Sequence, residues 1–101
     1  ALAVNPADGA AFGTCGLALL GLGRAEEALA AYQRQHELGW RPATALYNQA
    51  CCWLRLGERE NALLCLEEAA ALDPTMPTMV ALDPDLAALH GEPRFEALGR
   101  R

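Results

Sequence analysis

Residues 5–40 fall into register with residues 39–74 when the two stretches are set at an offset of 34. The identical pairs are Ala11/Ala45, Leu20/Leu54, Leu22/Leu56, Gly23/Gly57, Glu26/Glu60, Ala28/Ala62, Leu29/Leu63 and Leu38/Leu72. Conservative pairs extend the match: Phe12/Leu46, Gly16/Ala50, Ala18/Cys52, Leu19/Trp53 and Tyr32/Leu66. Pro6 and Pro74 lie two offsets apart. An internal repeat constrains a chain more than composition does. Each copy forms the same small unit, and neighbouring units must stack to bury what one cannot bury alone.

Each unit reads as two helices. In the first, Asp8 is suited to the N-cap, and Phe12, Cys15, Leu19 and Leu22 recur at helical spacing. Gly23 ends that helix, because glycine accepts the left-handed conformation of a C-terminal stop. Arg24-Ala25-Glu26-Glu27 opens a second helix, with glutamates at the positive end of the helix dipole. Ala28, Leu29, Tyr32 and His36 continue it, and Gly39 closes it. In the second unit Pro42 suits a first helical turn, where a missing N–H costs nothing. Leu46, Ala50, Trp53, Leu54 and Leu56 form its apolar side, and Gly57 breaks it. The next helix is expected over Glu58 to Leu72, with Asp73-Pro74 as its stop.

These residues resemble the tetratricopeptide repeat, a helix pair of 34 residues with the pattern W-x2-L-G-x2-Y, then A-x3-F, then P. The matching positions are Phe12, Cys15, Gly16, Leu19, Ala28, Tyr32 and Trp40 in the first unit. In the second they are Leu46, Gln49, Ala50, Trp53, Ala62, Leu66 and Pro74. Gly16, Ala28, Ala50 and Ala62 stand where paired helices of that family approach closely. Trp40 departs from the pattern in place of the closing proline, and Gln49 in place of an apolar residue. The resemblance implies an all-α fold: a right-handed α-solenoid of antiparallel helix pairs with about two repeats and short C-terminal capping helices. The whole chain, 1–101, then reads as one domain. Residues 1–6 would end a preceding helix, 7–40 and 41–74 would be the two repeats, and 75–101 the cap. The chain does not begin with Met, so residues upstream of Ala1 are expected.

The last segment leaves the period. Asp83-Pro84-Asp85 is a helix start, Leu86 and Leu89 sit three apart, and Gly91 ends that short helix. Pro93-Arg94 starts another that carries Phe95 and Leu98. The order of Tyr47-Asn48, Gly57-Glu58, Asp83-Pro84-Asp85-Leu86 and Pro93-Arg94-Phe95 resembles the closing segment of many bacterial tetratricopeptide proteins. A stacked repeat leaves its last apolar face bare, and Leu86, Leu89, Phe95 and Leu98 can cover it. The alternative makes Pro93-Arg94-Phe95 a docking motif.

Composition removes several function classes. The net charge is −5, and all eight basic residues are arginines, scattered rather than striped, so no nucleic-acid partner is expected. No run approaches the roughly 20 apolar residues of a membrane span. The four cysteines, Cys15, Cys51, Cys52 and Cys65, lie in apolar helical stretches and fit free buried thiols in a reducing, cytoplasmic setting. No cysteine or histidine stands in a catalytic or zinc-binding spacing, and no glycine run cradles a phosphate. Neither catalysis, metal nor cofactor is expected. The pairs Glu26-Glu27 and Glu67-Glu68 read as solvated faces.

The resemblance implies binding of a protein or peptide on the concave side, lined by the first helix of each pair. Its ligand-facing positions fall on Ala10, Gly13, Leu17, Leu20 and Gly21, and on Thr44, Tyr47, Cys51, Leu54 and Arg55, with Asn48 beside Tyr47. Arg55 is the candidate for a charge-assisted contact to a carboxylate. The clamp that some members use for a terminal carboxylate is not expected: the chain lacks lysine, and Gly13 and Leu17 occupy clamp positions. The alternatives are a homo-oligomerisation module using exposed apolar surface, or a regulatory domain of a longer chain.

Overall fold

A computed structural model describes residues 9–73, 75, 86, 89 and 91–98, with the side chain of Leu98 excepted. The expected cap Asp8 and the expected helix start Asp83-Pro84-Asp85 lie outside the described residues. Among those described, every regular element is a helix: α1 Gly9–Gly21, α2 Ala25–Glu37, α3 Pro42–Arg55, α4 Arg59–Leu72 and α5 Pro93–Leu98. Each of the first four packs on the next in sequence, and α5 packs on α4. This is the consecutive stacking of a tetratricopeptide-type helical solenoid.

Glycine sets the folding back of each helix. Gly23, Gly39 and Gly57 all have positive φ, which side-chain-bearing residues seldom adopt. At the end of α1, Gly23 N–H donates to Leu20 O and Arg24 N–H to Leu19 O. At the end of α3, Gly57 N–H donates to Leu54 O and Glu58 N–H to Trp53 O, the same pair of bonds shifted by one repeat. Gly39 and Trp40 close α2 in the same way on His36 O and Gln35 O. All three are Schellman stops, so the register of the sequence is also a register of hydrogen bonds. Helix α4 ends differently. Asp73 is extended, as a residue before proline must be, and its carboxylate accepts from both N–H and Oγ1 of Thr75. Those two bonds hold the Asp73 carboxyl below its ordinary pKa.

The core has two parts. One gathers Leu46, Ala50, Leu63 and Leu66 from α3 and α4 with Leu86, Leu89 and Phe95 from the tail. The other joins Ala28, Leu29 and Tyr32 of α2 to Cys52 of α3. Leu20 and Trp53 touch both and tie the units together. Gln49, which departs from an apolar family position, is buried and polar for a reason. Its Nε2 donates to Tyr32 O and its Oε1 accepts from the Cys65 thiol, linking three helices.

The tail narrows one sequence expectation. Glu67 is half-buried and not simply solvated: with Glu60 it holds the Arg94 guanidinium. Hydrogen bonds from Arg94 to Glu67, then to Glu60, raise the guanidinium pKa further above its ordinary value. Phe95 is buried and Arg94 is engaged on α4, which leaves Pro93 as the exposed residue of Pro93-Arg94-Phe95.

Candidate functional site

Helix α1 carries no charged residue, and only Gly9 and Gly16 are buried in it. The reason is its close approach to α2. A Cβ at Gly16 would come within 2.7 Å of the Tyr32 ring, so the α1 backbone lies directly on that ring. The larger side chains of α1 are thereby left at its flanks. Leu17 is 67 % exposed.

Between α1, the end of α2 and the start of α3 lies an open groove of about 370 Å³. Gly13 and Leu17 line it from α1, and Thr44 and Asn48 from α3. The turn before α3 closes one end. Arg41 sits there at φ 44, an unusual value for a residue with a side chain, and its guanidinium lies 5.5 Å from the centre of the Trp40 ring. Arg41 supplies the only charge among the described lining residues.

The structure therefore brings together five of the eleven residues singled out by sequence: Ala10, Gly13, Leu17, Thr44 and Asn48. The other six lie elsewhere. Cys51 is 7 % exposed and belongs to the core under Leu86, Leu89 and Phe95, which removes it from the candidate surface. Leu20 and Tyr47 are half-buried against that core. Arg55 is exposed, but its Nη1 donates to Leu20 O at 3.2 Å, capping the negative end of α1 instead of pointing into the groove. Arg55 also edges a separate depression of about 680 Å³ with Arg24, Glu26 and Glu27. Opposite charges meet there, and Arg24 already pairs with Glu27, so nothing in it focuses one sign of charge.

Five lining residues were not singled out for binding: Thr14, Tyr32, Gln35, Trp40 and Arg41. Gln35 had a signal. Across the offset it faces Ala69, while Gly13 faces Tyr47. A large side chain on α3 with a small one on α4 is replaced, in the first unit, by no side chain on α1 and a carboxamide on α2.

The chemistry of the site is that of contact. Burial pushes the Cys52 and Cys65 thiols up to about 11 and the Tyr32 hydroxyl up to about 12, so all three stay neutral near pH 7. All four cysteines are free. Among the described residues no three His, Cys, Asp or Glu side chains gather as metal ligands, and no helix is long and apolar enough to cross a membrane.

Residues 43–76 match the family model of the tetratricopeptide repeat. That stretch holds α3, α4 and the turn between them. Neither curated proteins nor solved structures give a significant match to the chain.

Proposed function

From the premise that this is a tetratricopeptide-repeat chain, we propose that it binds a peptide segment of a partner protein in the groove between α1 and α3. Repeats of this family generally mediate protein–protein interaction. The observation that carries the reading is Leu17, a large apolar side chain 67 % exposed at the wall of a concave groove. Trp40, 45 % exposed, lines the same groove, so two large apolar side chains are accessible there together. Thr44 and Asn48 on the opposite wall supply neutral hydrogen-bonding groups, which orient a peptide without selecting its charge. Four free thiols suit a reducing compartment such as the cytoplasm. The tail acts as the closing cap of the second repeat.

The test is selection of a random peptide library on the immobilised chain and on its Leu17→Asp variant. Leu17 is exposed, so the variant keeps its fold. Peptides recovered on the native chain and lost on the variant support the groove; the same peptides on both overturn it.

A second reading has its own observation. The turn after the uncharged α1 also exposes Leu22, and a second copy could cover Leu17 and Leu22 together. Sedimentation across a concentration series decides it: a strict monomer removes the self-association reading.

A further inference from the structure

Six arginines lie among the described residues, and five of them spend their guanidinium on the fold. Arg24 and Arg34 pair with Glu27 and Glu37, Arg59 with Glu92, and Arg94 with Glu60 and Glu67. Arg55 donates to Leu20 O. Arg41 has no carboxylate or carbonyl on it among the described residues. Its guanidinium lies over the Trp40 ring, 5.5 Å from the centroid. A ring face takes up none of the guanidinium's N–H donors, so they stay free for an acceptor from outside. Arg41 also holds an unfavourable backbone. Its φ is 44, in the left-handed region, and it precedes Pro42, a position that favours extended backbone. The other described residues with positive φ are all glycines: Gly23, Gly39, Gly57 and Gly91. Glycine takes that conformation freely, so local preference does not account for an arginine here.

The place of Arg41 in the groove says what would answer it. Arg41, Thr44 and Asn48 line one wall and follow one another three and four residues apart, the spacing of one helix face. The described lining residues include no carboxylate, so nothing on the wall offsets the charge. A segment lying there meets a cation with free donors, and a carboxylate complements it. Trp40 packs on Gly9, where an added Cβ would come within 2.3 Å of the Trp40 Cβ, so Arg41 stands beside the start of α1. Leu17 comes eight residues after Gly9 along that helix. Eight residues of helix rise about 12 Å, which an extended segment spans in about four residues.

We propose that Arg41 is a specificity-determining residue of the groove: it pairs with an Asp or Glu side chain of the bound segment, about four residues from the apolar side chain that covers Leu17. This rests on the groove reading above and adds to it the charge of the bound segment, the spacing of its two anchors and the residue that reads it. Arg41 is exposed, so a side chain can reach it from a segment that runs on past it. No second cation stands among the described lining residues to hold a chain end. Arg41 lies in the turn between the helix pairs, outside the first-helix positions from which the binding face is expected. The carboxylate contact expected of Arg55 falls to it.

The experiment uses the full chain and peptides recovered from the random library on the native protein but not on Leu17→Asp. They are expected to share an acidic residue about four positions from an apolar one. Replacing that Glu by Gln, or Asp by Asn, should weaken binding to the native chain about threefold, the scale of a partly solvated ion pair. On Arg41→Met the same replacement should cost less than about 1.5-fold. Added salt should weaken the acidic peptide on the native chain and leave its binding to Arg41→Met unmoved. Arg41→Gly should lose the same affinity without a lower urea midpoint, since glycine suits φ 44; a purely structural arginine would lower the midpoint and spare the affinity. Leu17-dependent peptides without an acidic residue, or equal losses on the native chain and Arg41→Met, overturn the role of Arg41 and leave the groove standing. A loss on amidating the peptide's C-terminus, with none at the acidic residue, assigns the contact to a chain end and overturns the proposal too. If the library yields no Leu17-dependent peptide, the groove reading falls and this inference with it.

Discussion

The two helix pairs are copies at the level of sequence register and opposites at the level of burial. Leu17 is 67 % exposed, and Cys51, one repeat on, is 7 % exposed. Ala18 is exposed and Cys52 is buried; Phe12 is half-buried and Leu46 is buried. The backbone stops at Gly23 and Gly57 are the same. What differs is the cover. Leu86, Leu89 and Phe95 close over the second pair, and no described residue does so for α1. The unit fixes its shape locally through spacing and glycine stops. Whether a face becomes core or surface is decided by what stacks on it.

The pairs also solve one packing problem in two ways. In the first, Gly16 lets α1 rest on the Tyr32 ring; in the second, Ala50 faces the position of Leu66. The two pairs trade volume between partners, glycine against a large ring in one and alanine with leucine in the other.

Several substitutions break or sharpen this contrast. The largest effect is expected from Leu66→Ala, a fully buried residue in the closed pair, which should cost about 2–5 kcal/mol in a urea melt. Next is Gly16→Ala. Its new methyl meets the Tyr32 ring at 2.7 Å, and overpacking of that kind costs about 1–3 kcal/mol. Gly16→Ala with Tyr32→Leu recreates the pairing of the second unit and should recover part of the loss, read as a non-additive double-mutant cycle. Additive losses would show that the volume trade does not govern the spacing.

Alkaline pH should act at the seam between the pairs. Tyr32, Cys52 and Cys65 hold their protons in the folded chain at pH values where the unfolded chain has lost them. Their contribution is complete below the ordinary thiol pKa of 9.0 and is lost as pH rises through about 11 and about 12. With no lysine in the chain, thiols and phenols dominate titration in that window. The urea midpoint should fall as pH is raised through it; a flat profile would contradict the burial of these groups.

Arg94→Ala should act locally. Amides of α5 should exchange faster, and the difference from the native chain should shrink at high salt, since the ion pairs to Glu60 and Glu67 are partly solvated. The smallest effect is expected from Leu17→Ala, within about 0.5 kcal/mol, because little is packed against that side chain. A loss comparable to that of Leu66→Ala would mean that α1 is not open.

Much of the fold was legible in the sequence. The glycine stops follow from left-handed φ, and the small residues from close helix approach. Half of the candidate site was not legible, because concave positions carried over from a family assume a bare face. Cys51 fails that assumption where Leu86 and Leu89 arrive from far along the chain. Arg55 fails it because a nearby helix end offers a carbonyl. Gln35 was missed because its meaning depends on Gly13, which is distant in sequence and adjacent in space. The pairing Gly13/Tyr47 with Gln35/Ala69 was in the register all along and becomes informative only once α1 is laid on α2.

The account turns on where a bound segment lies. Hydrogen exchange with and without a library-selected peptide measures that directly. Protection is expected in α1 and in the first half of α3, where Gly13, Leu17, Thr44 and Asn48 face one another, with α4 and α5 unchanged. Protection of α4 and α5 with α1 unchanged would place the binding surface on the closed pair and contradict the account.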